Sequence, residues 1–444
     1  MPDTLGCDVA VLGGGPAGVV TARGLARGGR RVVLIGAPRG HAGLEGLSPR
    51  TREALRAAGC DAALAQCGPE VRRVVFWNGE RTTANVEHLV ERADLDAALA
   101  DDAWAAGVIV LGARVGGVGA SRVSWRVEAS AGRASTRVVA RFLVEARGRA
   151  APTGRVRRRG PVSLALVGTW TAPRAEPGTA VFAFDDGWCW IASRGHGQAT
   201  IQVVIAGGRG VVPARRDLAT FYGALLRRVP ESAPALARAR LVGAVHARVA
   251  TSQLSARPVG PTMLRVGDAA CAVDPLSGHG IFHAVAGGLA AVPVVQTLLE
   301  RPGDRAAAAF WRARVAETFA TAARAGRDVH RVERRFAERP FWRVRQAWPA
   351  GATARRARGP VVAWRPVVED GFVVRREVVV TDDQPRGVWH VDGVPVVPLL
   401  RAIRGARRRR DAALEFARTS GAPAAAVPRA VAWLQHAGLL PASA

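Results

Sequence analysis

Residues 8–18 read Asp-Val-Ala-Val-Leu-Gly-Gly-Gly-Pro-Ala-Gly, a short apolar run that passes directly into a cluster of glycines. The apolar run, residues 8–12, predicts a buried strand, and residues 19–27 predict a helix. Glycines between a strand and a helix are the arrangement that dinucleotide-binding folds use. We therefore expect an α/β fold built around a dinucleotide site. The alternative is an ordinary strand-helix turn, which has the same local pattern.

Each glycine of this turn has its own physical task. Gly13 permits the tight bend, Gly15 lets the backbone approach a pyrophosphate, and Gly18 allows the helix to pack on the strand. Pro16 and Ala17 stand at the start of the predicted helix, whose N-terminus attracts phosphate. All five residues are therefore predicted to bind the cofactor.

A second glycine-rich stretch, residues 267–280, reads Gly-Asp-Ala-Ala-Cys-Ala-Val-Asp-Pro-Leu-Ser-Gly-His-Gly. By itself, Gly-Asp-Ala-Ala also fits a strand end with a capping aspartate. Together with the N-terminal glycines it predicts the other end of one flavin dinucleotide. The residues assigned to the cofactor here are Gly267, Asp268, Pro275, Gly278, His279 and Gly280.

One element of the usual dinucleotide site is missing. After the second strand, residues 31–35, such folds place an acidic residue that hydrogen-bonds the adenosine ribose. This chain has Gly36 there, followed by Ala-Pro and then Arg39. Arg39 is assigned to the cofactor as a residue that reaches a ribose hydroxyl or a phosphate, with a solvated arginine as the alternative.

The composition restricts the class of protein. A chain of 444 residues is too long for one ordinary core, and 49% hydrophobic content is that of a globular protein. All 63 basic residues are arginine, because the sequence contains no lysine. The net charge of +27 comes from short, scattered arginine runs without a nucleic-acid-binding motif, so we expect no nucleic-acid partner. Five cysteines without metal-ligand spacing, and no recognisable leader, favour a reduced cytoplasmic protein without a metal site.

The order of the predicted elements gives the fold class, α/β, or α+β when the whole chain is counted. A Rossmann-like FAD-binding domain is interrupted by an antiparallel sheet, and a small α+β extension follows. The apolar stretch 281–299 is predicted to be a buried helix rather than a membrane span, since it contains a histidine, a proline and a glutamine. The predicted boundaries are residues 1–155 and 256–348 for the FAD-binding domain, 156–255 for the substrate-domain sheet and 361–444 for the extension.

Four motifs in this order resemble the superfamily of FAD-dependent aromatic hydroxylases and halogenases. They are the N-terminal glycines, Arg-x-x-Leu-Asp-x-x-Leu at 92–99, Ala-x-Gly-Arg at 146–149 and the second glycine motif. The resemblance implies that Arg92 helps to hold the FAD, that Gly148 lies near it, and that Asp268 hydrogen-bonds the ribityl chain. It also implies that the helix after Pro275 points its N-terminus at the pyrimidine end of the flavin. Val115 completes the predicted cofactor-binding set.

The resemblance includes two chemistries. The stretches 274–277 and 187–191 are similar to halogenase sequences, but flavin halogenases deliver hypohalous acid through a lysine. Arginine stays protonated and presents no amine nucleophile, so a chain without lysine is not expected to halogenate in that way. Hydroxylation of an electron-rich aromatic ring through a C4a-hydroperoxyflavin is then expected, with O2 and with NAD(P)H or a reductase partner as the electron source.

The second motif and the C-terminal extension are most similar to monooxygenases that mature protein-derived tryptophylquinone cofactors. This similarity implies a protein or peptide partner that carries the target tryptophan. Because the apolar stretch 281–299 is predicted to be a buried helix, no membrane partner is expected. The extension is predicted to be either a winged-helix-like module that binds the partner or a cap on the flavin domain. Two other functions stay open: a flavin-dependent reductase or dehydrogenase of a small molecule, and a non-catalytic flavin-bearing maturation adaptor.

Four side chains are candidates for the chemistry or the substrate. His279 is the predicted catalytic residue, because a histidine beside the flavin can move protons near neutral pH; a backbone contact at the helix start is the alternative. Asp274 either orients His279 or caps the helix, with capping favoured. Trp188 and Trp190 alternate on one strand and share a face, so they predict an aromatic wall for the substrate or, equally, a place in the core.

Overall fold

The computed structural model describes residues 3–37, 43–121, 123–152, 156–173, 175–208, 210–229, 232, 238–351, 359–406 and 409–441. These residues form two compact units. The first unit is drawn from residues 1–303 and 311–351, and the second from residues 304–310 and 352–444. Arg39, one of the predicted cofactor residues, lies outside the described residues.

Within the described ranges the chain forms 22 strands and 11 helices. The strands are β1 (Asp3–Leu12), β2 (Val32–Ile35), β3 (Leu44–Leu47), β4 (Glu70–Trp77), β5 (Glu80–Glu91), β6 (Ile109–Leu111), β7 (Arg114–Ala120), β8 (Trp125–Ala131), β9 (Ala134–Glu145), β10 (Val156–Arg159), β11 (Ser163–Thr171), β12 (Gly178–Phe184), β13 (Gly187–Ser193), β14 (Gln198–Ala206), β15 (Arg240–Val249), β16 (Gln253–Ser255), β17 (Met263–Arg265), β18 (Cys271–Ala272), β19 (Val361–Glu369), β20 (Phe372–Val380), β21 (His390–Val391) and β22 (Val394–Pro395). The helices are α1 (Pro16–Arg27), α2 (Pro49–Ala57), α3 (Asp61–Ala65), α4 (Arg92–Ala105), α5 (Leu218–Leu226), α6 (Gly280–Glu300), α7 (Arg305–Val332), α8 (Pro340–Ala347), α9 (Val396–Gly405), α10 (Arg409–Ser420) and α11 (Val427–His436).

One half of the first unit is built on a seven-stranded sheet. Its order is β6-β2-β1-β9-β8-β7, with β17 paired to β9. The pairs among β6, β2, β1, β9 and β17 are parallel, whereas β9, β8 and β7 pair antiparallel. Residues 9–12 of β1 are completely buried, as expected for a central parallel strand. β1 is longer than the predicted 8–12, because it pairs with β9 from Asp3 onward.

α1 and α6 pack closely against each other in this half. A Cβ built on Gly24 would lie 2.5 Å from Val292 Cγ2, and one on Gly288 would lie 3.0 Å from Val20 Cβ, so glycines permit the approach. Among the described helices, α6 is long and apolar enough to cross a membrane by length and composition, with 44% of its most apolar window buried in the protein. Its contact with α1 gives it the place of the buried helix that the sequence predicts.

The other half of the first unit is an eight-stranded sheet in the order β15-β11-β14-β13-β12-β4-β5-β3. It is larger than the predicted range 156–255, since β3, β4 and β5 come from the segment before it. The sequence reasoning missed these strands because they join the sheet through long-range pairing, with β4 parallel to β12. One face packs on α5, where Tyr222 donates to the carbonyl oxygen of Ile201 at 2.9 Å. The opposite face packs on α8 and on Leu276, just after the second glycine motif.

The second unit has its own small core. β19 and β20 form an antiparallel ribbon, and α9, α10 and α11 pack around residues such as Leu400 and Leu434. Within residues 387–397 the chain forms two two-residue strands, β21 and β22, and α9 begins at Val396. Gly393, with φ +83°, makes the turn between the two short strands.

Candidate functional site

The first glycine motif forms the turn between β1 and α1. Gly13 has φ +116°, and a Cβ there would lie 2.4 Å from the carbonyl oxygen of Ala146. Gly18 packs on the same turn, since its Cβ would lie 2.0 Å from the carbonyl oxygen of Gly13. Gly15 precedes the helix in an extended conformation, and Pro16 opens it. The turn therefore presents bare backbone at the N-terminus of α1, which is the arrangement that receives a phosphate.

The missing acidic residue after β2 has a steric cause. A Cβ on Gly36 would lie 2.5 Å from the backbone nitrogen of Gly14 and 2.8 Å from its Cα. Position 36 is therefore closed to an aspartate or glutamate unless the glycine turn moves. Where the usual fold has a carboxylate, two backbone segments of this chain pack closely together.

The second glycine motif lies directly against the first. Gly267 has φ +56°, and a Cβ there would lie 2.8 Å from the Cβ of Ala17. The next residue, Asp268, accepts a hydrogen bond from Nε of Arg149 at 3.1 Å. The other two guanidinium nitrogens of Arg149 donate to backbone carbonyl oxygens at 2.6 and 2.9 Å. Arg149 thus fixes the orientation of Asp268, a role that the sequence pattern did not assign to it.

Two clefts meet at Asp268. One is lined by Gly148, with φ +64°, and by residues of β16 and β17. The other runs from Asp268 past Gly280 to His283, between α6 and α7. Cys271 also lines this second cleft; burial, with a smaller contribution from Asp268, raises the pKa of its thiol to about 12, so the thiol is neutral near pH 7. Four of the predicted cofactor residues line these clefts: Gly148, Gly267, Asp268 and Gly280.

The turn before α6 exposes backbone to the second cleft. Asp274 accepts a hydrogen bond at 2.9 Å from a backbone N–H two residues on and so caps the short 3-10 turn Pro275–Ser277. This is the capping role that the sequence favours for it. Gly278 then takes φ +63°, and α6 begins at Gly280. A Cβ on Gly280 would meet nothing within 4 Å, so the start of the helix is open.

The N-terminus of α6 favours negative charge. The helix has 21 residues, and its first turn carries free backbone N–H groups and the positive end of the helix dipole. An anion there is stabilised by about 0.3–1 kcal/mol, and by up to about 2 kcal/mol when partly buried. Reduced flavin, with negative charge near N1 and O2 of its pyrimidine ring, suits this position.

His279 is the N-cap residue of α6 and is half-buried. Its ring centroid lies 6.4 Å from that of Phe282 and 6.2 Å from that of His283, and its backbone N–H donates to the hydroxyl of Ser277 at 3.3 Å. Burial, and then the charge of His279 and of two arginines, lowers the pKa of His283 to about 4. His283 is therefore neutral near pH 7, and a proton-transfer role for His279 stays a prediction.

Arg92, at the start of α4, is held by two carboxylates. Its Nη1 donates to Glu45 and its Nε to Asp96, each at 3.0 Å. Burial alone would lower the pKa of Arg92, but the two carboxylates outweigh it and raise the pKa. Val115, another predicted cofactor residue, lies elsewhere, in β7, where it packs against the apolar core of the seven-stranded sheet.

Trp188 and Trp190 point to the same face of β13 but lie at different depths. Trp188 is 2% exposed and belongs to an apolar cluster with Leu276 and Trp342, so the structure places it in the core. Its Nε1 is buried and has no hydrogen-bond partner among the described residues, whereas Trp77 and Trp342 of the same cluster donate to carbonyl oxygens at 3.1 and 2.9 Å. Trp190 is half-buried beside this cluster, and a contact with substrate stays a prediction.

The sequence reasoning missed a buried ion pair on the same face of the sheet. Nη1 of Arg73 lies 2.9 Å from Oε1 of Glu87, with side chains 14% and 4% exposed. The hydroxyl of Thr179 donates to the other carboxylate oxygen at 2.7 Å. A Cβ on Gly278 would lie 2.8 Å from Nη1 of Arg73, so the guanidinium lies directly against the turn before α6. The available signal was Val-x-Arg-x-Val at 71–75, which puts an arginine on the apolar face of a strand.

These features fit an FAD. Two glycine turns that a Cβ would obstruct lie against each other, and an oriented carboxylate at Asp268 stands where the two clefts meet. The N-terminus of α6, which is sterically unobstructed at Gly280, lies at one end of the second cleft. The described part of the chain contains no group of three or more His, Cys, Asp or Glu side chains that could hold a metal ion.

Comparisons with known proteins place the chain among flavoproteins. A family model described as an FAD binding domain matches residues 6–292. The menaquinone reductase of Mycolicibacterium smegmatis is 29% identical in an alignment of 303 residues, and the match covers 62% of this chain and 72% of that protein. The digeranylgeranylglycerophospholipid reductase of Thermoplasma acidophilum is 25% identical in an alignment of 320 residues, and the match covers 66% of this chain and 78% of that protein.

Two solved structures match almost the whole chain. QhpG, a peptidyl tryptophan dihydroxylase essential for tryptophylquinone cofactor biogenesis, is 38% identical with a TM-score of 0.82, and the match covers 98% of this chain and 100% of that one. CmlS, a flavin-dependent halogenase, is 19% identical with a TM-score of 0.73, and the match covers 98% of this chain and 96% of that one. At 19% identity the second likeness concerns the fold alone.

Proposed function

The chain belongs to the family of proteins with an FAD-binding domain and is an FAD-dependent oxidoreductase, and we propose that it is a monooxygenase that hydroxylates a tryptophan side chain within another protein. The observation that carries this proposal is the 38% identity to a peptidyl tryptophan dihydroxylase over 98% of the chain, C-terminal unit included. The absence of lysine supports oxygen transfer over halogen transfer, because no side chain can form the amine adduct that flavin halogenases use.

Different residues would hold different parts of the FAD. Gly13, Gly15 and Gly18 would receive the pyrophosphate at the N-terminus of α1. Asp268, oriented by Arg149, would accept from the ribityl hydroxyls, and the start of α6 would meet the pyrimidine ring. Bound FAD supplies the activation of O2 and the transfer of one oxygen atom, while the protein supplies position, charge and exclusion of water.

The reaction replaces a ring hydrogen by a hydroxyl group. One atom of O2 enters the ring, the other leaves as water, and a donor supplies two electrons; we propose NAD(P)H or a reductase partner, with the reaction in the cytoplasm. The ring carbon that gains oxygen must lose its hydrogen as a proton, and a neutral imidazole can accept it. We propose His279 for this task, because it stands at the start of α6, next to Gly280, which lines the second cleft.

The test is the mass of the partner protein after reaction. FAD-loaded enzyme, an electron donor and the tryptophan-bearing partner are incubated under 18O2, and the partner is analysed by intact mass and peptide mapping. We expect addition of labelled oxygen at one tryptophan and none in a partner whose target tryptophan is replaced by phenylalanine. Oxidation of the donor with only hydrogen peroxide as product would refute the proposal.

A reductase of a small lipid-like molecule is the second candidate, and the identities of 29% and 25% to a menaquinone reductase and to a digeranylgeranylglycerophospholipid reductase favour it. The two candidates differ in their need for oxygen. A reductase oxidises its donor without O2 when a quinone or a prenyl acceptor is present, whereas the monooxygenase turns over only with O2 and its partner. Anaerobic turnover with menaquinone would move the assignment to the reductase.

A further inference from the structure

Arg73 lies on the face of the eight-stranded sheet that meets the turn before α6. Arg73 and Val75 are two residues apart in β4, so they share a face. Val181 of β12 is the register neighbour of both Val75 and Trp190, which puts Arg73 and Trp190 on one face. Arg72 points to the opposite face and is exposed. The guanidinium of Arg73 is therefore the one of this adjacent pair that is directed at the turn before α6.

The position of Arg73 is fixed by its partner. Both oxygens of Glu87 are engaged, one by Arg73 at 2.9 Å and the other by the hydroxyl of Thr179 at 2.7 Å. A guanidinium has five N–H donors, and the bond to Glu87 uses one of them. A buried ion pair contributes little net stability compared with an apolar pair of the same size, because both charges must leave water. Stability is therefore a weak explanation for this pair.

The guanidinium and the start of α6 approach the same turn from two sides. Nη1 of Arg73 lies 2.8 Å from the position of a Cβ on Gly278, and the second cleft reaches Gly280 two residues later. That cleft includes Gly267 and Asp268, beside the glycine turn that would receive the pyrophosphate. Bound there, FAD would be held by Asp268 along its ribityl chain and would bring its ring toward the start of α6. Charge near the ring is a means by which a protein tunes the electronics of a flavin.

We propose that Arg73, held in place by Glu87, stabilises the negative charge of reduced FAD and raises the reduction potential of the bound cofactor. The proposal rests on the flavin-binding part of the proposed function and is independent of the substrate. Substrate and partner protein are absent from its test, so a wrong substrate assignment leaves the result unchanged.

The first measurement compares Arg73→Gln with Arg72→Gln. Both remove one positive charge from β4, but only the first removes it from the face that meets the turn before α6. Loss of the cation leaves the anionic reduced flavin less stable, so the potential of bound FAD falls. We expect the reduction equilibrium to shift about tenfold toward oxidised FAD, which is about 30 mV for two electrons. Arg72→Gln should leave the potential at its wild-type value. Equal potentials for the two variants would overturn the proposal.

The second measurement distinguishes an effect of charge on the reduction potential from an effect of altered local structure. Glu87→Gln removes a negative charge and keeps an acceptor for Arg73, so the potential should rise. The double variant should lie between the two single variants. If Glu87→Gln and Arg73→Gln both lower the potential, the pair acts only on local structure and the proposal fails. If Arg73→Gln does not fold or hold FAD, Glu87→Gln decides alone: a rise supports the role, and no change or a fall refutes it.

Discussion

Gly267→Ala tests whether the contact between the two glycine motifs is required for FAD binding. The new Cβ would lie 2.8 Å from the Cβ of Ala17, so the backbone must move by about 1 Å to reach a normal contact of about 3.5–4 Å. Alanine at φ +56° adds backbone strain of about 1–2 kcal/mol, and overpacking adds about 1–3 kcal/mol. The free energy of unfolding should fall by the sum, about 2–5 kcal/mol.

The same change should weaken FAD binding, because relief of the contact displaces Asp268. Each 1.4 kcal/mol corresponds to about a tenfold change in Kd, and we expect Kd to rise at least about tenfold. The assays are fluorescence titration of the apoprotein with FAD and chemical denaturation. Gly29→Ala is the control for strain alone, since Gly29 has φ +82° and a Cβ there would meet nothing within 4 Å.

Ala17→Gly supplies the matched rescue. The methyl group of Ala17 is the one heavy-atom neighbour that a Cβ on Gly267 would meet within 4 Å among the described residues. Ala17→Gly combined with Gly267→Ala should recover the overpacking part of the loss but not the backbone part. Wild-type FAD affinity in Gly267→Ala, or no recovery in the double variant, would show that the two motifs do not act through this contact.

Three further predictions concern single side chains. Trp188→Phe should cost about 1–2 kcal/mol less stability than Trp342→Phe, since only Trp342 loses a hydrogen bond; equal denaturation midpoints would contradict this. His283 has its pKa lowered from 6.5 to about 4 in the folded state, so its neutral form is favoured there and stability is lost as the pH falls from about 6.5 toward 4. His283→Gln should flatten the pH dependence of the unfolding free energy over that window, and an unchanged slope would exclude this group as the cause. Arg149→Met should weaken FAD binding by freeing Asp268 to reorient, with partial retention in Arg149→Lys; FAD titration with full affinity in both would refute the orienting role.

Local patterns predicted the parts of the fold that depend on neighbouring residues. The strand-glycine-helix order at residues 8–27 follows from steric and hydrogen-bonding rules within one turn. The extent of the eight-stranded sheet did not follow. β4 reaches it by pairing in parallel with β12, about a hundred residues on in the sequence, and no local pattern records such a partner.

The same distinction applies to the site. The turn glycines and the capping role of Asp274 could be predicted from the sequence, because they depend on backbone geometry within a few neighbouring residues. The roles of Arg149 and Arg73 in the site were not predicted from the sequence. Their roles arise from partners far along the chain, Asp268 for one and Glu87 with Gly278 for the other. Among so many arginines, charge alone could not single them out.

The positively charged residue beside the turn before α6 is an arginine rather than a lysine, and this difference affects which reaction the site can support. A lysine amine can lose its proton when buried and then act as a nucleophile, whereas a guanidinium keeps its charge. Arg73 is paired with the carboxylate of Glu87, whose side chain is 4% exposed. This position therefore offers a permanent positive charge and no covalent relay. Such a charge helps a reaction in which electrons accumulate on the flavin, as they do before O2 is activated, and it gives no route for carrying a halogen to the substrate.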